Sequence, residues 1–384
     1  MSTMPLPQQF TLPPIGVTVR EDGQIQVEWQ PHAQSAGPAA LRLPAAVQEA
    51  LAAGVLAGAD DSTVLAQAGV AASPPVLAVL AEYRAHPLAR LAREQRRAAD
   101  EKLLKLQSHA RIDAQLARLH PARQQVERVA GLEAERFHRD FYAANRPVVM
   151  TGQMQHWPAM SRWTPDYLKA RFGEVPVQVQ MGRESDPDFE VNMHLLRHTM
   201  PFGDYVQKVE TSPPSNDFYM VASNHVLHET GLGALMEDVD FFPELMSPER
   251  LPGSTFFWYG PAGTVTPLHH DPSNIILAQL RGRKHVRMYP PVQTPLLDNC
   301  LGVYSGADPE NPTAGPPEFV HATAMETTLG PGEALFIPVG WWHHVRSLDV
   351  AISVSSTAFR ADNFFEWNMP NHPARPRRTT AARY

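Results

Sequence analysis

Apolar and polar positions along the chain fall into three textures. Over residues 1–40, two short runs at 16–20 and 25–29 flank Glu21-Asp22-Gly23. Asp-Gly between such runs predicts a β-hairpin. From about 41 to 122 the pattern becomes helical, rich in Ala, Leu, Arg and Gln, and Ile112, Leu116 and Leu119 recur at i, i+4 and i+7 as one helical stripe. From about 123 onward, short apolar runs at 147–151, 175–180, 255–259, 274–280, 285–289, 333–337 and 350–355 alternate with Pro and Gly. They predict strands, with helical interruptions at 165–171 and 235–240. Many short strands without alternating helices predict a sandwich or barrel rather than a parallel βαβ sheet. The expected division is an N-terminal arm and helical region, 1–122, followed by a mainly β domain with a C-terminal tail, 123–384.

Composition narrows this picture. The 384 residues are 43% apolar and 19% charged, enough apolar surface for a large core. Thirty-seven prolines against 23 glycines, with no collagen-like period, read as stiffened loops and strand ends. A formal charge of −7 gives no global field that would gather nucleic acid. A local surplus does exist, eleven Lys/Arg against six Asp/Glu between Glu82 and Arg128, and reads first as a solvated helical face. The lone Cys300 excludes an intrachain disulfide and a thiolate metal cluster. The start has no basic segment leading into an apolar one, and no apolar run reaches membrane-spanning length. The expectation is a cytoplasmic protein with no membrane contact.

The chemistry concentrates in two stretches. In extended chain, side chains alternate faces, so His269 and Asp271 point one way and His270 the other. An imidazole and a carboxylate can then share one ion, and His343 or His344 can supply a third ligand from a distant strand, only one of the two facing inward. Two histidines and a carboxylate form the facial ligand set that leaves neighbouring positions open on Fe(II), although Zn, Co, Ni or Mn would also accept it. Pro267 and Pro272 bracket the first pair. The Trp341-Trp342 pair either belongs to the core or walls the site. Lys284 opens a strand after the Arg281-Gly282 turn. Facing into a barrel it would be costly without an anion, which a chelating dicarboxylate would supply at its far end. Facing out, it is a solvated turn residue beside Arg281, Arg283 and Arg287. Thr266 and Tyr219 offer hydroxyls to the same carboxylate pocket.

The motif TPLHHD, followed by QLRGRKHVRMYPP and GPGEALFIPVGWWHHVRSLDVAISV, resembles the JmjC (cupin-like) family of Fe(II)- and 2-oxoglutarate-dependent oxygenases, and among them the small JmjC hydroxylases. The entry stretch RPVVMTGQMQHWPAMSRWTPDYLKARFG is similar too, so the likeness covers roughly 123–360. The resemblance implies a double-stranded β-helix (jelly-roll) core, preceded here by the helical region. It makes His269, Asp271 and His343 the iron ligands, with His344 turned away. Lys284 matches the lysine that pairs with the 2-oxoglutarate C5 carboxylate, and Thr266 and Tyr219 its hydroxyl partners. Where the small hydroxylases carry an asparagine, this chain has Ile275; either Asn274 takes that role or the co-substrate pocket is drier. The implied reaction consumes O2 and 2-oxoglutarate, releases succinate and CO2, and hydroxylates a side chain of a protein or peptide substrate.

Competing readings are N-methyl-lysine demethylation, oxidation of RNA or a small molecule, and a metal cupin that acts as an isomerase or lyase. The single cysteine leaves no zinc-finger reader module, and the basic 82–128 segment keeps RNA open as a partner. The N-terminal helices are candidates for a homodimer contact. The arginine-rich end (Arg375, Arg377, Arg378, Arg383) reads as a disordered tail.

Overall fold

A computed structural model describes residues 44–222 and 225–366, together with the backbone of three short strands before them: Ile15–Val19 (β1), Ile25–Trp29 (β2) and Ala40–Leu41 (β3). The Glu21-Asp22-Gly23 turn and the arginine-rich end lie outside the described residues. The chain divides into two compact units, Met1–Leu106 and Gln107–Tyr384. The division falls within a helix whose end lies close to the expected boundary at 122.

In the first unit, β1 and β2 pair antiparallel with Val19 opposite Ile25, the register of a hairpin, and β3 pairs on the far edge of β1. Three helices follow, Ala45–Ala57 (α1), Asp61–Ala68 (α2) and Pro74–Ala85 (α3). Asp60 starts α2 by accepting from the Thr63 amide at 2.9 Å, satisfying one of the donors a helix start leaves open. Leu51, Val55, Val64, Val79 and Tyr83 close this unit's core. The fourth helix, Pro87–Leu119 (α4), crosses the division.

The final turns of α4 depart from the apolar pattern. Ile112 and Leu119 are 54% and 80% exposed, whereas Ala110, Ala114 and Ala117 are buried. Small side chains let the helix backbone approach its neighbours closely: Thr323 Oγ1 donates to the Ala114 carbonyl at 3.1 Å, and Arg118 reaches Thr323 Oγ1 and the His321 carbonyl. Short contacts of this kind leave no room for a leucine stripe.

The second unit contains Glu127–Ala130 (β4), Val148–Thr151 (β5), Pro176–Met181 (β6), Arg197–Pro201 (β7), Phe218–Tyr219 (β8) and Thr255–Gly260 (β9). There follow Val265–His269 (β10), Ile275–Arg281 (β11), Lys284–Tyr289 (β12), Asn299–Leu301 (β13) and Tyr304–Ser305 (β14). The last four are Met325–Leu329 (β15), Glu333–Ile337 (β16), Trp342–Ser347 (β17) and Ala351–Ser356 (β18). Two six-stranded sheets run in the orders β13-β14-β10-β17-β12-β15 and β4-β5-β16-β11-β18-β9, and β7-β6-β8 forms a smaller sheet. From β10 to β12 and again from β15 to β18, successive strands alternate between the two large sheets. That alternation makes a double-stranded β-helix.

The strands near the centre of the second sheet are apolar on both faces, which is why they read as continuous hydrophobic runs. Ile276, Ala278, Phe336 and Val354 face Phe137, Phe202 and Tyr259 on one side, while Leu277, Leu335 and Ile337 join Val286, Met288 and Val345 between the sheets. Gly282, between β11 and β12, has φ +68, and a Cβ there would lie 2.2 Å from the Val350 carbonyl oxygen, so only glycine makes this turn. The turn places Lys284 at the head of β12. Among the described residues no helix is long and apolar enough to cross a membrane.

Candidate metal centre

β10 and β17 pair antiparallel with His269 directly opposite His343. Asp271 follows the end of β10, and its carbonyl accepts from the Gly340 amide at 3.0 Å, tying it to the loop that leads into β17. The carboxylate oxygen Oδ2 stands 3.8 Å from His269 Nε2 and 3.5 Å from His343 Nε2, and one ligand atom from each residue lies within 4.8 Å of the other two.

The rings are held from behind. His269 Nδ1 donates to the Pro267 carbonyl at 2.8 Å and His343 Nδ1 to the Trp341 carbonyl at 3.0 Å. A carbonyl only accepts, so Nδ1 carries a proton in each ring, and Nε2 is the nitrogen each ring turns to the shared point. Burial holds His343 well below the usual imidazole range, keeping it neutral, and raises the Asp271 carboxyl, against the opposing pull of His269. Two imidazole Nε2 atoms and one desolvated carboxylate are a donor set that a divalent transition-metal ion takes.

Alternation separates the neighbouring histidines as the sequence predicts. His270 is buried on the other face, edge-on to Trp342 with ring centroids 4.6 Å apart. His344 also turns away, toward Asp308 and Glu310, a second cluster with ligand-like spacing. There Arg346 forks both oxygens of Glu310 and Arg287 stands 3.9 Å off, so arginines already balance the charge. Neither tryptophan walls the metal site: Trp342 packs with Leu268, Tyr289 and Phe319, and Trp341 with Val126, Met288 and Val345.

A cavity of about 450 Å³ opens beside the three ligands and includes Thr266, Lys284 and Trp258 in its wall. Lys284 is 2% exposed. Its Nζ donates to Tyr219 Oη at 3.0 Å and lies 5.7 Å from the Trp258 ring centre, and no carboxylate among the described residues pairs with it. Burial alone brings its ammonium down to about 7. Tyr219 reaches this position because β8 pairs with β6 and because Gly260 leaves space beside it; a Cβ there would meet the Tyr219 ring at 2.6 Å. A buried cation with one hydroxyl partner, facing a cavity, is a site for an anion.

One expected residue is corrected. Asn274 does not face the cavity. Its Oδ1 accepts from the Val339 amide at 2.7 Å and its backbone is clasped by Asn363, so it braces the loop before β17. Alternation along β11 sends Ile275 and Leu277 into the cavity instead, making that wall apolar. Among the wall residues that escaped the sequence reading are Tyr304, whose ring leans on His269 at 6.1 Å, and Glu190. Glu190 comes from a polar, turn-rich stretch without periodicity, and only its ion pair with Arg183 marks it.

Residues 134–357 match the family described as cupin-like domain, more than half of the chain. The chain is 36% identical over 241 residues to lysine-specific demethylase JMJ30 of Arabidopsis thaliana, covering 60% of this chain and 54% of that protein. It is 33% identical over 229 residues to lysine-specific demethylase 8 of Xenopus tropicalis, covering 58% and 50%. It is 24% identical over 249 residues to bifunctional peptidase and (3S)-lysyl hydroxylase JMJD7 of Homo sapiens, covering 57% and 79%. The chain thus spans about half the length of the two demethylases.

Proposed function

Because this chain belongs to the cupin-like domain family, in its JmjC form, we propose that it is an Fe(II)- and 2-oxoglutarate-dependent dioxygenase that hydroxylates a side chain of a protein substrate. One juxtaposition carries the reading: the His269, Asp271 and His343 donors meet beside the unpaired, buried Lys284. His269 and His343 hold iron through Nε2, their Nδ1 protons committed to backbone carbonyls, and Asp271 adds one negative charge. Iron with 2-oxoglutarate and O2 supplies the oxidising power to convert a substrate C–H to C–OH, with succinate and CO2 released.

Lys284 and Tyr219 bind the far carboxylate of 2-oxoglutarate, and Thr266 offers a second hydroxyl at the same wall. Ile275, Leu277 and Trp258 make part of the remaining wall apolar and keep water from the reacting atoms there. The buried cation facing the ligand cavity favours the oxygenase over an isomerase or lyase on the same scaffold, because it matches the free carboxylate of a chelating dicarboxylate.

The test is succinate formation from 2-oxoglutarate with anaerobically loaded Fe(II) and then O2, in the wild type and in His269→Ala, Asp271→Ala and Lys284→Met. Wild-type turnover, lost in the first two and requiring far more 2-oxoglutarate in the third, supports the reading; undiminished turnover in the ligand variants refutes it. Several relatives carry the name demethylase, so the product mass matters. A gain of one oxygen on the substrate supports hydroxylation, and loss of a methyl group from methyl-lysine replaces it with demethylation. Oxidation of RNA in place of protein overturns the substrate class.

A further inference from the structure

Two of the three metal ligands lean on one tight turn. In the segment 338–341, just ahead of β17, the Trp341 amide donates to the Pro338 carbonyl at 3.1 Å and Gly340 has φ +76, the β-turn that needs glycine at its third position. The Gly340 amide donates to the Asp271 carbonyl at 3.0 Å, and the Trp341 carbonyl accepts from His343 Nδ1 at 3.0 Å. A shift of this turn therefore moves Asp271 and His343 together. His269 is held instead by the Pro267 carbonyl of its own strand.

Asn145 grips the same turn from outside the cavity. It lies between the helical segment His138–Tyr142 and β5, and β5 pairs with β16 so that Val148 stands opposite Phe336. The two chains run on side by side past that pair, which brings Asn145 against 339–341. Asn145 Nδ2 donates to the Val339 carbonyl at 3.1 Å, and Trp341 Nε1 donates to the Asn145 backbone carbonyl at 2.9 Å and to its Oδ1 at 2.6 Å. With the Val339 amide taken by Asn274, the turn is clamped from two sides.

The backbone does not itself ask for this side chain. Asn145 has φ +50, in the left-handed region, where glycine is favoured and asparagine tolerated. Glycine would end the helical segment equally well. What glycine lacks is the carboxamide, which offers a donor and an acceptor at once. Both are used here on the turn that carries the metal ligands. Supports of this kind hold ligand atoms within about 0.5 Å of their working geometry.

We propose that Asn145 is a positioning residue of the metal centre: by clamping Val339 and Trp341 it sets the Trp341 carbonyl that aims His343 and the Gly340 amide that ties down Asp271. The proposal rests on the metal-ligand reading above and adds to it an asymmetry, since His269 is held independently of Asn145.

Two measurements on the full chain test it. In metal-free protein labelled with 15N-histidine, NMR follows exchange with water of the Nδ1 protons of His343 and His269. Asn145→Gly is expected to speed exchange at His343 at least tenfold and leave His269 unchanged, a difference between two rings of one molecule that general loosening does not produce. In anaerobic titration with Fe(II), Asn145→Gly binds about tenfold more weakly than wild type, the lower range for residues that support metal ligands. Asn145→Asp keeps an acceptor for Trp341 Nε1 and recovers part of both effects; Trp341→Phe removes that donor and reproduces them. Should Asn145→Gly fail to unfold cooperatively, Asn145→Asp and Trp341→Phe decide. Unchanged exchange at His343, equal acceleration at both histidines, or Fe(II) affinity equal to wild type overturns the proposal and leaves the metal centre standing. A wild type that takes up no Fe(II) removes the metal centre, and this role with it.

Discussion

Lys284→Met separates stability from function at a single position. The wild-type ammonium is fully enclosed, touches one hydroxyl, and is brought from 10.5 to about 7 by burial. Each decade of proton affinity is worth about 1.4 kcal/mol, so keeping this lysine charged costs the folded apoprotein roughly 5 kcal/mol. Water entering the cavity relaxes part of that cost, and methionine fills a similar volume without it, so a net stabilisation of about 2 kcal/mol or more is expected. For a unit of this size that raises Tm by roughly 4–8 °C. The sign with pH follows from the lowered proton affinity. Below about pH 7 the lysine is charged in both states and the whole penalty is present. Between pH 7 and 10.5 the unfolded chain holds a proton that the folded protein has released, so wild-type stability rises with pH. Thermal unfolding of metal-free wild type and Lys284→Met at pH 6, 8 and 9.5 measures this directly. The variant melts higher at pH 6 and its advantage shrinks toward pH 9.5, while its KM for 2-oxoglutarate rises by about a hundredfold. A variant less stable than wild type at pH 6, or a difference that ignores pH, would refute the assignment of Lys284 as an unpaired buried cation awaiting an anion.

Other changes probe the frame and the ligands. His343→Ala loses iron binding in anaerobic titration with at least a hundredfold drop in succinate formation, whereas His344→Ala, facing Glu310, retains stoichiometric iron; equal loss in both would contradict the strand register. Gly282→Ala forces a left-handed turn and a backbone collision, and is expected to destabilise by about 2 kcal/mol or more in denaturant unfolding. Asp238 is buried and accepts from Arg162, Trp163 and Tyr167, so Asp238→Ala leaves the buried Trp163 indole without its partner and costs about 2 kcal/mol by the same measurement, with little change in KM for 2-oxoglutarate.

Much of the site was legible in the linear chain because strand alternation is a local rule. A period of two puts His269 with Asp271, turns His270 away, and allows only one of His343 and His344 inside, whatever the rest of the protein does. The cost of burying a cation likewise marked Lys284 as soon as its strand was taken to face inward. Partner choice is not local. The pairing of β10 with β17 chose His343, and the packing of β11 turned Asn274 into a brace and Ile275 into a wall. The pattern of apolar residues on α4 misled because leucine and isoleucine name no particular neighbour; a close approach to Thr323 needed alanines, and the bulky stripe was left outside. Arg183 and Glu190 had no periodic signal at all, since an ion pair formed across an irregular segment depends on where the folded backbone carries two charges, which no spacing in the sequence encodes.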